Sequence, residues 1–253
     1  MIRNGTQMTI KEIKNLYEKT MGEAINYLTF CRDISLQKKE IDDLEKNVRI
    51  FKNYKWQANR DKQEQLSNLF FGCHNYLNSV KNCIESIVLL KENQPERAWD
   101  KLMNAEEFYS WASKVKDCLL NEFCLMDYMK KMEELLFPHF KVYSSLGFTT
   151  TKGDCSVCLK KIDECEHIEG NIYSGIACFE INKKVLDIDH SAFVENPRDR
   201  RCVPIEISEN GKMINYFTLK ESRDLNEKEK EECAKGHLQA KWAMMNFEEL
   251  DVN

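Results

Sequence analysis

Glycine and proline divide this chain into two parts. Three glycines (Gly5, Gly22, Gly72) and one proline (Pro95) precede residue 138, whereas six glycines and three prolines occupy the rest. Glycine opens positive φ angles and proline removes a helical hydrogen bond, so both punctuate turn-rich chains and interrupt long helices. Their scarcity before residue 138 predicts helices there, and their frequency afterwards predicts short strands joined by turns.

Apolar spacing supports the division. Thr9 and Glu12 form a capping-box pattern, and Ile10, Ile13, Leu16, Tyr17, Met21, Ile25, Leu28 and Phe30 follow at steps of mostly three and four. Ile34, Ile41, Leu44, Val48 and Phe51 continue nearly as a heptad stripe. That stripe suits either a protruding helical arm or an ordinary bundle helix with a solvated face. Leu66, Leu69, Phe70, Cys73, Leu77, Val80, Ile84 and Ile87 give the clearest amphipathic helix. Pro95 is placed at the first turn of the next, which contains Trp99, Phe108 and Trp111 as core residues. A last run from about Val115 to Phe137 completes four or five antiparallel helices. Cys31, Cys73, Cys83, Cys118 and Cys124 fall within these patterns and read as small packing residues.

In the second part, Val203–Ser208 and Met213–Leu219 alternate apolar and polar residues around Asn210-Gly211, the signature of a β-hairpin. A terminal helix is expected from Asn226 to about Leu250, docked through Leu238, Trp242, Met245 and Phe247.

Residues 155–167 read C-x2-C-x6-C-x-H, with Cys155, Cys158, Cys165 and His167 as candidate ligands. Zinc favours four tetrahedral nitrogen and sulfur ligands, and two close pairs supply them with little loss of chain entropy. Gly153 and Gly170 flank the cluster and permit tight turns. Four protein ligands leave no open position, which makes the expected Zn2+ structural. Cys178 is the first alternative to His167; His190 and Cys202 are others.

The longer string from Cys155 through Gly170, Tyr173 and Gly175 to Cys178 resembles a compact zinc-knuckle segment of assorted bacterial and phage proteins. Such segments continue into a strand and a proline-containing turn, as Asp187–Pro197 does here. The resemblance implies a zinc-stabilised β module and brings no activity with it. The fold class is therefore α+β: an N-terminal antiparallel helical bundle (residues 1–140), then a small zinc-stabilised β-rich domain with a C-terminal helix (residues 141–253).

Other constellations are weaker. On a regular strand, Asp187 and Asp189 share one face, and Leu186, Ile188 and His190 the other. This makes His190 a partly buried, hydrogen-bonded histidine. Arg198, Arg200 and Arg201 form a loop able to grip a phosphate or an acidic partner. None of the five histidines has an arginine four to six residues upstream, as helical ribonucleases of defence systems do. Nucleotide-binding and hydrolase fingerprints are also missing, and no catalytic residue is assigned. A net charge of −5 gives no general attraction for nucleic acid. No apolar run approaches the roughly 20 residues that span a bilayer.

The sequence thus points to a cytoplasmic interaction or adaptor protein. Its helical domain is expected to bind a protein partner or a second copy, and by domain style it belongs to a bacterial, antiviral-defence type of complex. Two alternatives stay open. One is an enzyme or toxin subunit with a site between the domains, using Asp187, Asp189, His190 and the arginine loop. The other is a nucleic-acid-binding accessory protein.

Overall fold

The computed structural model describes residues 9–115, 124–209, 212–224, 227 and 238–240. Five helices precede a set of small antiparallel sheets, so the fold is mixed α+β. They are α1 (Ile10–Thr29), α2 (Ile34–Arg60), α3 (Glu64–Lys91), α4 (Pro95–Ser113) and α5 (Leu125–Leu136).

Helix α1 begins at the expected capping box: Thr9 Oγ1 accepts from Glu12 N, and Glu12 Oε2 accepts from Thr9 N at 2.7 Å. Asp33 caps α2 by accepting from Leu36 N at 2.9 Å. The heptad-like stripe of α2 buries Leu44, Val48 and Phe51 in the common core, so α2 packs as an ordinary core helix along that face. Eighteen of the 28 residues of α3 are buried, which makes it the element the others surround. Ser79 Oγ donates to the Ala105 carbonyl and Ser86 Oγ to that of Ala98, drawing α4 close to α3. Pro95 occupies the first turn of α4, as expected. Of the helical cysteines, Cys73 and Cys83 are buried, Cys31 is half-buried and Cys124 is exposed ahead of α5. Cys118 lies outside the described residues.

Strand β1 (Tyr143–Thr150) pairs antiparallel with β6 (Val185–Val194), forming a two-stranded ribbon. Four two-residue strands lie between them: β2 (Asp154–Cys155), β3 (Ile172–Tyr173), β4 (Ile176–Ala177) and β5 (Glu180–Ile181). A second sheet has the order β10-β7-β8-β9, comprising β7 (Pro204–Glu209), β8 (Lys212–Asn215), β9 (Glu221–Asp224) and β10 (Leu238–Ala240).

The expected hairpin is β7–β8, in the register Glu206↔Asn215 and Glu209↔Lys212. Its second strand stops before Leu219 because Asn215 Oδ1 accepts from Phe217 N and Thr218 N and turns the chain. The expected terminal helix is corrected at Leu238–Ala240. These residues pair with β7 as a strand, satisfying backbone groups that a helix would leave open there. The remainder of that expected helix is outside the described residues, apart from the isolated Glu227.

One hydrophobic core runs from the helices into the β region. Fully buried Trp99 meets Phe137 and Phe140 at ring distances of 5.3 and 5.0 Å. Phe140 in turn packs on Tyr216 and Phe217, each at 5.4 Å. A smaller cluster of Phe71, Ala177 and Phe179 lies beneath the β2–β5 segment, edged by Trp111.

Candidate metal centre

Two loops bring the cysteine cluster together. In the first, Cys155 N donates to Lys160 O, and Leu159, at φ +60°, returns its N–H to Cys155 O at 2.8 Å. This turn aims Val157 N at Cys155 Sγ, 3.4 Å away. The chain reaches it through Gly153, which has no positive φ but lies so close to the neighbouring strand that a Cβ would sit 2.1 Å from the Ile181 carbonyl.

The second loop carries Cys165 and His167. Tyr173 steadies it twice: its hydroxyl accepts from Ile168 N at 3.0 Å, and its ring meets the His167 imidazole edge-on at 4.6 Å. Gly170, at φ +87°, donates to Cys178 O and lets the chain reverse.

The donor atoms of Cys155, Cys158, Cys165 and His167 all lie within 4.8 Å of one another, so this Cys3His set can hold a metal ion. Zinc–sulfur bonds of about 2.3 Å put tetrahedral ligands roughly 3.8 Å apart. Cys155 Sγ lies 3.8 Å from His167 Nδ1 and the same distance from Cys178 Sγ. Cys178 therefore stands beside the cluster as a fifth donor.

The thiols differ in readiness. Burial opposes ionisation of Cys155, yet the N–H groups of Cys158 and Val157 hold its pKa below the ordinary value. Burial, reinforced by Cys155, pushes Cys178 up to about 12. Cys155 is thus better prepared than Cys178 to ligate as thiolate.

The segment containing the cluster docks on the helices through the β3–β4 hairpin, whose tip is Ser174-Gly175. The Ser174 carbonyl accepts from Asn59 Nδ2 and, at 2.8 Å, from Ser67 Oγ. Gly175 N donates to Asn68 Oδ1 at 2.6 Å. Gly175 combines φ +75° with a closeness that would put a Cβ 2.3 Å from Ser67 Oγ. The sequence reading missed this docking. Its signals are the Ser-Gly pair, which suits two successive positive φ angles, and the polar residues of α3 among its apolar face.

The remaining candidates lie elsewhere. Register shifts on β6 place Gly147 opposite His190 and Phe148 opposite Ile188, so His190 and Ile188 take opposite faces. This corrects the regular-strand expectation. His190 is exposed, its ring lying across Gly147 on the face that also carries Asp187, and Asp189 accepts from Thr149 Oγ1 at 3.2 Å. Cys202 is buried where its carbonyl accepts from Ser144 N, at the ribbon end opposite the cluster segment.

The arginine loop bends back onto the helices. Arg200 pairs with Glu106 of α4 at 2.9 Å and with Glu133 of α5, while its carbonyl accepts from Trp99 Nε1. Arg201 pairs with Asp199 and Glu107 and donates to Asn104 Oδ1. Arg198 is exposed. Among the described residues, no helix is long and apolar enough to cross a membrane.

No family model, no curated protein and no solved structure matches this chain.

Proposed function

We propose that this chain is a zinc-stabilised interaction protein that assembles through its β1–β6 ribbon, serving as a subunit of a larger complex. Zn2+ is the ion that best suits three cysteines and a histidine at these separations. Its role is to hold residues 151–184 in shape, so that the ribbon has a fixed end.

One observation carries the reading: a two-stranded ribbon that leaves Phe148, Val185, Leu186, Ile188 and Phe193 between 44% and 63% exposed. Residues directly opposite one another share a face, so Phe148 with Ile188, Val185 opposite Thr150, and Phe193 opposite Ser144 line one side. Among the described residues β6 has a strand neighbour on one edge only. An open edge bearing large apolar side chains recruits another strand.

The occupant is a second copy of this chain. Two β6 edges pair antiparallel about a two-fold axis, presenting the same ladder to each other and merging their apolar faces. The four side chains on that side offer roughly 350–400 Å² per copy, about half of the roughly 800 Å² per partner of a stable interface, and the strand ladder adds to it. The helical domain, expected from the sequence to carry the association, exposes its large apolar residues more sparsely.

Metal analysis of the purified chain is expected to give one zinc per chain. Sedimentation velocity of the zinc-loaded protein is expected to give a dimer at about 100 µM, where a contact of about 5.5 kcal/mol is half filled. Ile188→Lys and Phe148→Lys are expected to return it to a monomer. A wild-type monomer at that concentration, or a dimer indifferent to both substitutions, would sink the ribbon reading.

A further inference from the structure

A cleft of about 310 Å³ opens between α2, α3 and α4, far in sequence from the cysteine cluster. Its rim concentrates positive charge in a chain whose net charge is −5: Arg49, Lys52, Lys81 and Lys101 line it, with Glu45 the one lining acid. Two of these cations are held by carboxylates. Lys81 meets Glu45 at 2.5 Å, and Lys101 meets Glu85 at 2.7 Å. An ammonium carries three donors, so one carboxylate partner fixes its position and leaves donors for a ligand. Arg49, which shares Glu45 at 3.3 Å, lines the cleft and is 73% exposed.

The floor is polar where a core helix ordinarily is not. His74, Asn78 and Asn82 recur every four residues along α3, each under 7% exposed. Asn78 Nδ2 lies 3.3 Å from His74 Nε2, and Asn82 Nδ2 donates to Asn78 O at 2.8 Å. These bonds orient the amides and leave Asn82 Oδ1 buried, with no hydrogen-bond partner among the described residues. A buried acceptor without a partner costs stability and calls for a donor. Val48 and Phe108 supply an apolar wall beside it. The volume lies at the small end of ligand pockets.

We infer that this cleft binds a small phosphate monoester carrying a hydrogen-bond donor, a nucleoside monophosphate or a sugar phosphate. The phosphate sits among Lys81, Lys101 and Arg49, where charge-assisted donors converge. A hydroxyl or amino group of the same molecule donates to Asn82 Oδ1. The site lies within the helices and does not depend on the ribbon contact.

Isothermal titration calorimetry on the zinc-loaded full chain tests it with four probes: adenosine monophosphate, ribose 5-phosphate, inorganic phosphate and adenosine. At least one phosphate ester is expected to bind about tenfold or more tighter than inorganic phosphate, and adenosine to give no measurable heat. The ester that binds identifies which source of the phosphate group the cleft takes. Lys101→Gln and Arg49→Gln are each expected to weaken that ester about tenfold. Arg49 is exposed enough that its replacement leaves the fold intact. Asn82→Ala is expected to weaken the ester and leave inorganic phosphate unchanged. Absence of ester binding, equal binding of inorganic phosphate, or binding untouched by Arg49→Gln and Lys101→Gln would overturn the assignment.

Discussion

The helices and the cysteine-cluster segment are stabilised by different means. The helices share a continuous apolar core around α3, with Tyr17, Phe51, Leu77, Ile84 and Trp99 at most 1% exposed. Between β1 and β6 the strands are two residues long, and the buried apolar side chains are Cys155, Ala177, Cys178 and Phe179. So small a core cannot offset the entropy of ordering more than thirty residues. The second region depends on point attachments instead: a docked hairpin tip and a Cys3His cluster able to hold an ion. A core spreads its stability over many side chains, whereas such attachments concentrate it in a few atoms.

Removing the metal tests this contrast most severely, since structural zinc contributes about 10 kcal/mol or more of apparent folding free energy in small domains. A chelator, or Cys155→Ser, is expected to abolish amide-exchange protection across residues 153–181 while the helical circular dichroism persists. Simultaneous collapse of both regions would show that they are not separately stabilised. Trp99→Ala attacks the other side. It empties the junction among Phe137, Phe140 and the Arg200 carbonyl, and is expected to lower global unfolding free energy by about 3–5 kcal/mol in urea titrations.

Gly175→Ala is smaller and more local. Positive φ and the 2.3 Å approach to Ser67 Oγ both oppose a methyl group, and a cost of about 1–3 kcal/mol is expected. Faster exchange at the hairpin tip, with the metal content unchanged, would mark undocking without loss of the cluster.

The smallest effect concerns Glu40 of α2. Burial first, then the nearby Asp43 and Glu23 carboxylates, raises its pKa from 4.5 to about 7, against a small lowering by Lys39. The folded chain therefore keeps a proton that the unfolded chain releases. This contribution is fully present below about pH 4.5, falls as pH rises towards 7, and stays lost above that. Glu40→Gln is expected to flatten that part of the pH profile of the urea midpoint; an unchanged slope would count against the raised value.

What could be read from the sequence was local. The Thr9–Glu12 box, Pro95 at a helix start, the β7–β8 hairpin and the C-x2-C-x6-C-x-H string each depend on residues a few positions apart. What escaped depends on distant partners. Leu238–Ala240 becomes a strand because β7 has an edge to offer, which helical spacing does not register. An extra residue on β6 puts His190 and Ile188 on opposite faces, and strand alternation cannot anticipate a bulge. Arg200 and Arg201 resembled a free basic loop because Glu106, Glu107 and Glu133 lie far away in sequence. Cys178, named in advance as a rival to His167, proves to be the same 3.8 Å from Cys155.

The cysteine-cluster segment also enters and leaves through a single doorway. Thr151 N donates to Lys184 O at 2.9 Å, and Lys184 N returns a bond to Thr151 Oγ1 at 3.0 Å. The open end of the ribbon is thereby tied by bonds between its own two strands' continuations. Residues 152–183 are thus an insertion fastened at two places, to the ribbon at their ends and to the helices at Ser174-Gly175. A short turn in their place would leave β1 and β6 paired and uncover Asn59, Ser67 and Asn68 on the helices.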